Sequence, residues 1–187
     1  MTPADIALEG LRLRWMPRPA DALAAAREWL AGVAGPGAAA ALRRDPRGRP
    51  RLPPGLGDVG WSHSAGRLLL AHADAGRVGV DIEAAARRTD PLRVARRYFA
   101  ADELARLHAL GEDQRAPAFL RLWCAKEAVL KAHGHGLAFG LHRLALDVAG
   151  EHPRLLRCDP ALGDAGDWRL LALAPEPGFI AVLAHAP

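Results

Sequence analysis

The 187-residue chain is half hydrophobic and carries a formal charge of +4, a balance that suits phosphate-bearing or acidic partners. Its only cysteines, Cys124 and Cys158, exclude a disulfide framework. No apolar run approaches the ~20 residues of a membrane span, and no Cys/His finger, RNP-like aromatic strand or Lys/Arg block points to nucleic acid. The N-terminal MTPADIALEG has neither the basic nor the apolar region of a secretion signal, so a protein of the reducing cytoplasm is expected.

In chain order, loose alternation of Leu8, Leu11, Leu13 and Trp15 with polar residues predicts one strand over residues 6–15. Asp21 is a fair N-cap for a helix to about residue 31, stopped by Gly32 and the following GPG, before a short Ala-rich helix over 38–44. The cluster DPRGRP at 45–50 is a turn. Three strands follow over 59–64, 68–73 and 78–83, and the breaks between them predict a meander.

Asp90-Pro91 opens a helix to about residue 97, and a second spans 101–110. A long helix covers 115–132 and ends at Gly134 and Gly136. Strands return over 144–148, 154–157, 168–174 and 179–184. This order predicts an α+β fold of two lobes, residues 1–85 and 86–187, with a site between them.

Composition marks two stretches. Lys126 and Lys131 are the only lysines of this arginine-rich chain, and Ser62 and Ser64 its only serines. On the long helix Phe119, Leu122, Trp123, Val129 and Leu130 form an apolar face into which Lys126 projects. Glu127 and Lys131 share a stripe with Trp123 one turn apart. In the strand VGVDIE, period 2 sets Val78, Val80 and Ile82 on one face and Gly79, Asp81 and Glu83 on the other.

Asp81, Glu83 and Glu127 would supply three hard oxygen ligands suited to Mg²⁺ or Mn²⁺ rather than zinc. Lys131 could then neutralise a phosphate, Ser62 and His63 could bind another or orient a base, and Arg49 in Gly48-Arg49-Pro50 suits a terminal phosphate. His133 and His135 read as loop residues near a phosphate site rather than as a metal pair. Two other classes stay open on this ground: a non-catalytic basic module gripping an acidic partner, and another Mg²⁺-dependent nucleotide enzyme. The carboxylate cluster speaks against the first, and the lack of a Walker-type loop or GxGxxG against the second.

Gly48-Arg49-Pro50, Trp61-Ser62-His63-Ser64, Val78-Gly79-Val80-Asp81-Ile82-Glu83 and Trp123-Cys124-Ala125-Lys126-Glu127-Ala128-Val129-Leu130-Lys131, followed by Gly134-His135-Gly136-Leu137, together resemble the surfactin-type (Sfp-like) group of 4′-phosphopantetheinyl transferases. The resemblance implies two similar α/β lobes forming an intrachain pseudo-dimer, with coenzyme A and Mg²⁺ between them. It implies transfer of the phosphopantetheine arm to a serine of an apo carrier protein by a monomeric, holo-[acyl-carrier-protein] synthase-type enzyme. By matching position, Asp81, Glu83 and Glu127 would be metal ligands, Glu127 also the base, Lys131 a catalytic phosphate contact, and Arg49, Ser62 and His63 the holders of the adenosine 3′-phosphate end. The carrier would dock on residues 93–107, where Arg93, Arg96, Arg97 and Arg106 meet Tyr98 and Phe99. Arg49 stands where the family has lysine, Trp61 where a small polar residue is common, and Arg27, Arg43 and Arg44 are candidates for further phosphate contacts in a shortened N-terminal lobe.

Overall fold

The computed structural model describes residues 4–87 and 89–187; the first three residues of the stretch read for a secretion signal lie outside them. The expected first strand is a hairpin of β1 (Ala4–Leu8) and β2 (Leu11–Pro17). Gly10, at φ +67°, permits the two-residue turn that interrupts the alternation.

α1 (Ala22–Val33) is capped by Asp21, whose carboxylate accepts the N–H groups of Leu23 and Ala24. It runs through Gly32. The GPG opens α2 (Gly35–Ala41) instead of ending a helix, because Pro36 lies in a first turn that needs no N–H. Arg43–Arg44, expected as helix, form β3 and pair with β4 (Pro50–Arg51) across the DPRGRP turn.

β5 (Asp58–Ser64) and β6 (Arg67–Ala73) form the next hairpin and complete a sheet of order β1-β2-β6-β5. The expected meander stops there. β6 is already flanked by β2 and β5, so β7 (Arg77–Ala84) has no free edge of it to join. Instead β7 pairs antiparallel with β11 (Phe179–Ala186), which pairs with β10 (Arg169–Leu173) in a second sheet. Val78, Val80 and Ile82 of β7 pack with Leu11, Leu13 and Leu69 of the first sheet.

Three α-helices and two strands come before the last hairpin. α3 (Pro91–Tyr98), α4 (Ala101–Ala109) and α5 (Glu112–His133) are followed by β8 (Leu144–Asp147) and β9 (Arg154–Cys158). α5 lies across β7 and β11 and buries Phe119, Leu122, Val129 and Leu130, as its apolar periodicity predicts. Glycine at 79 is what lets it approach: a Cβ there would stand 2.1 Å from the Ala128 carbonyl oxygen and 2.4 Å from the Ala132 nitrogen.

Lys126 and Glu103 have no exposed surface. The Lys126 Nζ lies 2.7 Å from Glu103 Oε2 and donates to the carbonyls of Leu141 (2.8 Å) and Leu144 (2.5 Å). Phe99 is turned into this core at 6% exposure and stacks on Phe119, which corrects its placement on a docking face. Arg93, Arg96, Arg97 and Tyr98 remain on the surface. No helix among the described residues is long and apolar enough to cross a membrane.

Candidate active site

β5, β7 and α5 converge on a cavity of about 360 Å³, lined by Ser62, His63, Asp81, Glu83, Glu127 and Lys131 together with Trp61, Arg87 and Trp123. Period 2 turns Asp81 and Glu83 toward this side of β7, and β5 presents a matching pair. The Ser62 hydroxyl donates to Asp81 Oδ1 at 2.8 Å, and the Ser64 hydroxyl donates to Glu83 Oε2 at 3.0 Å. The only two serines of the chain therefore each orient one carboxylate of the neighbouring strand.

Lys131 completes the first pair. Its ammonium donates to Asp81 Oδ1 at 2.6 Å and to Ser62 Oγ at 2.8 Å. Asp81 Oδ2 and Glu127 Oε1 are buried and have no hydrogen-bond partner. Burial, and next the charge of Asp81, push the Glu127 carboxyl from its ordinary 4.5 up to about 7, with Lys131 pulling the other way.

The three expected metal ligands thus share one cavity, but two are already engaged by cations. Lys131 takes one oxygen of Asp81, and Arg87 pairs with Glu83 Oε1. Among the described residues no group of three His, Cys, Asp or Glu is gathered to hold a metal ion as it stands. The two partnerless carboxylate oxygens nevertheless have the chemistry a hard divalent cation takes, since an unpaired buried acceptor is costly until something fills it.

A second cavity, of about 260 Å³, is lined by Gly48, Arg49, Pro50, Gly134, His135 and Gly136, with Trp61 and Lys131 on the wall it shares with the first. Arg49 lines this cavity and His63 the other. Most of the Arg49 guanidinium holds the fold: Nη2 pairs with Asp58 at 2.6 Å and donates to the Ala132 carbonyl at 2.8 Å, and Nε donates to that of Lys131 at 2.7 Å. It caps the C-terminus of α5, where a cation suits the exposed carbonyls and helix dipole. Only Nη1 is left, buried and without a partner.

Gly134, at φ +90°, ends α5 in the left-handed region, and a Cβ there would meet Arg51 Nη2 at 2.9 Å. His133 and His135 stack at 4.3 Å, and His135 stacks on Phe139 at 4.5 Å, a column of near-parallel rings. Arg27 and Arg43 spend donors on backbone carbonyls of residues 40 and 42, whereas Arg44 lies over the Trp61 ring at 5.1 Å. Cys124 is fully buried, its thiol pushed well up first by burial, so it is a packed group and no nucleophile.

Sequence reasoning missed Arg87, which follows β7 without any periodic context, and the orienting part played by Ser64. The i,i+2 serines of WSHS opposite the i,i+2 carboxylates of VDIE were the signal for Ser64.

A sequence model of the family described as the 4′-phosphopantetheinyl transferase superfamily matches residues 77–172. The protein slr0495 of Synechocystis sp. is 34% identical over 128 residues, covering 67% of this chain and 51% of its own length. The 4′-phosphopantetheinyl transferase HetI of Nostoc sp. is 32% identical over 144 residues, 75% of this chain and 58% of its own. The transferase Sfp of Bacillus subtilis is 37% identical over 82 residues, 43% and 34% of the two chains. The chain spans about half the length of the first two of these relatives. Among solved structures, the holo-[acyl-carrier-protein] synthase of Thermotoga maritima aligns with a TM-score of 0.46 at 19% identity, over 59% of this chain and 62% of that one.

Proposed function

The chain belongs to the 4′-phosphopantetheinyl transferase superfamily, and from that premise we propose that it moves the 4′-phosphopantetheine arm of coenzyme A to a serine hydroxyl of an apo carrier protein. The observation that carries this reading is the pair of buried, partnerless oxygens, Asp81 Oδ2 and Glu127 Oε1, beside the Lys131 ammonium in one cavity. Asp81, Glu127 and, once freed from Arg87, Glu83 would hold Mg²⁺ or Mn²⁺. Such an ion would supply positive charge to the diphosphate oxygens and polarise the bond that breaks.

The chain's own residues do the rest. Glu127, directly or through a water, accepts the proton of the carrier serine as its oxygen attacks the pantetheine-side phosphorus. The P–O bond to the adenosine half breaks, and adenosine 3′,5′-bisphosphate leaves with the electron pair. Lys131 faces the charge that builds on it. The free Nη1 of Arg49 on one side and His63 on the other are the groups available to the outer phosphates. Ser62 serves by holding Asp81 and Lys131 in place.

Residues 1–85 and 86–187 are read as the two lobes, with β7 of the first completing the β10-β11 sheet of the second and β5, β7 and α5 all lining the cavity. The exposed Arg93, Arg96, Arg97 and Tyr98 form the face offered to an acidic carrier. The reading carries with it a monomer acting in the cytoplasm. It is tested by incubating the chain with coenzyme A, Mg²⁺ and an apo carrier and following adenosine 3′,5′-bisphosphate by chromatography. Release should require all three additions, and release independent of the carrier would reject the reading.

A further inference from the structure

We propose that Arg87 is a further substrate-binding residue, whose guanidinium holds Glu83 until a divalent cation takes that carboxylate and then moves onto a phosphate oxygen of coenzyme A. The proposal rests on the cavity being a cation and diphosphate site, as argued above.

Two contacts define the position of Arg87. Its Nη1 pairs with Glu83 Oε1, and its guanidinium carbon lies 5.4 Å from the centre of the Trp123 ring. Both partners line the cavity with Asp81, Glu127 and Lys131. The other oxygen of Glu83 is held by Ser64 at 3.0 Å, so Oε1 is the one an arriving ion would claim. A divalent ion concentrates twice the charge in a smaller radius, and a guanidinium 39% exposed is cheap to displace.

Trp123 differs from Glu83 in that no cation competes for it. The ring is braced by Phe119 at 6.1 Å and Phe99 at 6.5 Å, so its face stays in place beneath Arg87. The cation–π contact therefore keeps the released guanidinium at the rim, with its donor fork turned free for a phosphate.

The test is calorimetric and uses the full chain. Mn²⁺ is titrated without coenzyme A, and coenzyme A is titrated with Mg²⁺ present, into the parent, Arg87→Gln and Arg87→Lys. The Gln variant should bind Mn²⁺ about two- to five-fold more tightly, the worth of the exposed ion pair it no longer has to break. It should bind coenzyme A about ten-fold or more weakly, as expected for a lost charge-assisted hydrogen bond. Arg87→Lys should fall between on both. Opposite shifts are the signature, because a damaged fold weakens both ligands together. Unchanged or weaker Mn²⁺ binding by Arg87→Gln, or unchanged coenzyme A binding, overturns the exchange. A parent that binds no Mn²⁺ removes the cation reading of the cavity itself, and the exchange with it.

Discussion

Lys126 and Glu103 form an ion pair at 2.7 Å in which neither side chain has any exposed surface. The ammonium also reaches two carbonyls of the segment leading into β8, and Glu103 accepts the N–H groups of Ala100 and Leu146. Every charge is thus answered, which is the condition for a buried pair to persist. It ties α4, α5 and β8 together one residue away from Glu127.

Lys126→Met should destabilise the protein by about 3–5 kcal/mol, because it leaves the Glu103 carboxylate buried without its cation. Lys126→Met with Glu103→Leu should recover much of that loss, as apolar replacements of buried pairs do. Urea unfolding of the two variants checks the order. A double variant less stable than the single one would show that the pair stabilises the core outright.

Gly79→Ala should separate α5 from β7. The new Cβ cannot share space with the Ala128 carbonyl oxygen 2.1 Å away or the Ala132 nitrogen 2.4 Å away, and both of these belong to the helix backbone, so the helix itself must shift. Overpacking of this kind costs about 1–3 kcal/mol. Glu127 and Lys131 move with the helix, so transfer should fall more steeply than stability. Thermal melting and turnover on the same preparation measure both, and an Ala variant with parental turnover would contradict the packing argument.

Glu127 makes stability depend on pH. Its folded carboxyl, raised to about 7 from 4.5, keeps a proton that the unfolded chain has already lost. Between those values the native state binds more protons, so stability falls as pH rises, by about 3 kcal/mol in all. Glu127→Gln removes the penalty. In cation-free buffer the variant should gain on the parent as pH is raised from 5 to 8, read from urea midpoints. A difference independent of pH would mean that Glu127 is not desolvated as the cavity implies.

Much of the site was legible because its residue types break the pattern of the chain. Two lysines in an arginine-rich sequence and two serines in one tetrapeptide stand out before any fold is known. The faces of VGVDIE and of α5 follow from periodicity, and the helix ends at Asp21, Asp90 and Gly134 from capping rules, whereas α2 was placed three residues late because its GPG was read as a stop. The partner of β7 did not follow, because strand pairing is decided by which edges remain free, and β2 closes the edge of β6 from a distant part of the sequence. The Glu9-Gly10 turn was passed over although the apolar positions slip phase there, from Leu8 to Leu11. Lys126 was marked as unusual, but its partner lies 23 residues away on another helix and no local rule connects them. Arg49 was read as a phosphate ligand from its turn. Its engagement with Asp58 and the end of α5 depends on tertiary contacts that spacing does not carry.

The most direct measurement is the mass of an apo carrier protein after incubation with coenzyme A, Mg²⁺ and either the parent or Glu127→Gln. The parent should add one phosphopantetheine arm to the carrier serine. The variant should be slower by about 100-fold or more, the lower range for losing a positioned base. A carrier left unmodified by the parent, while another transferase loads it under the same conditions, would contradict the account, and so would an arm transferred equally fast by Glu127→Gln.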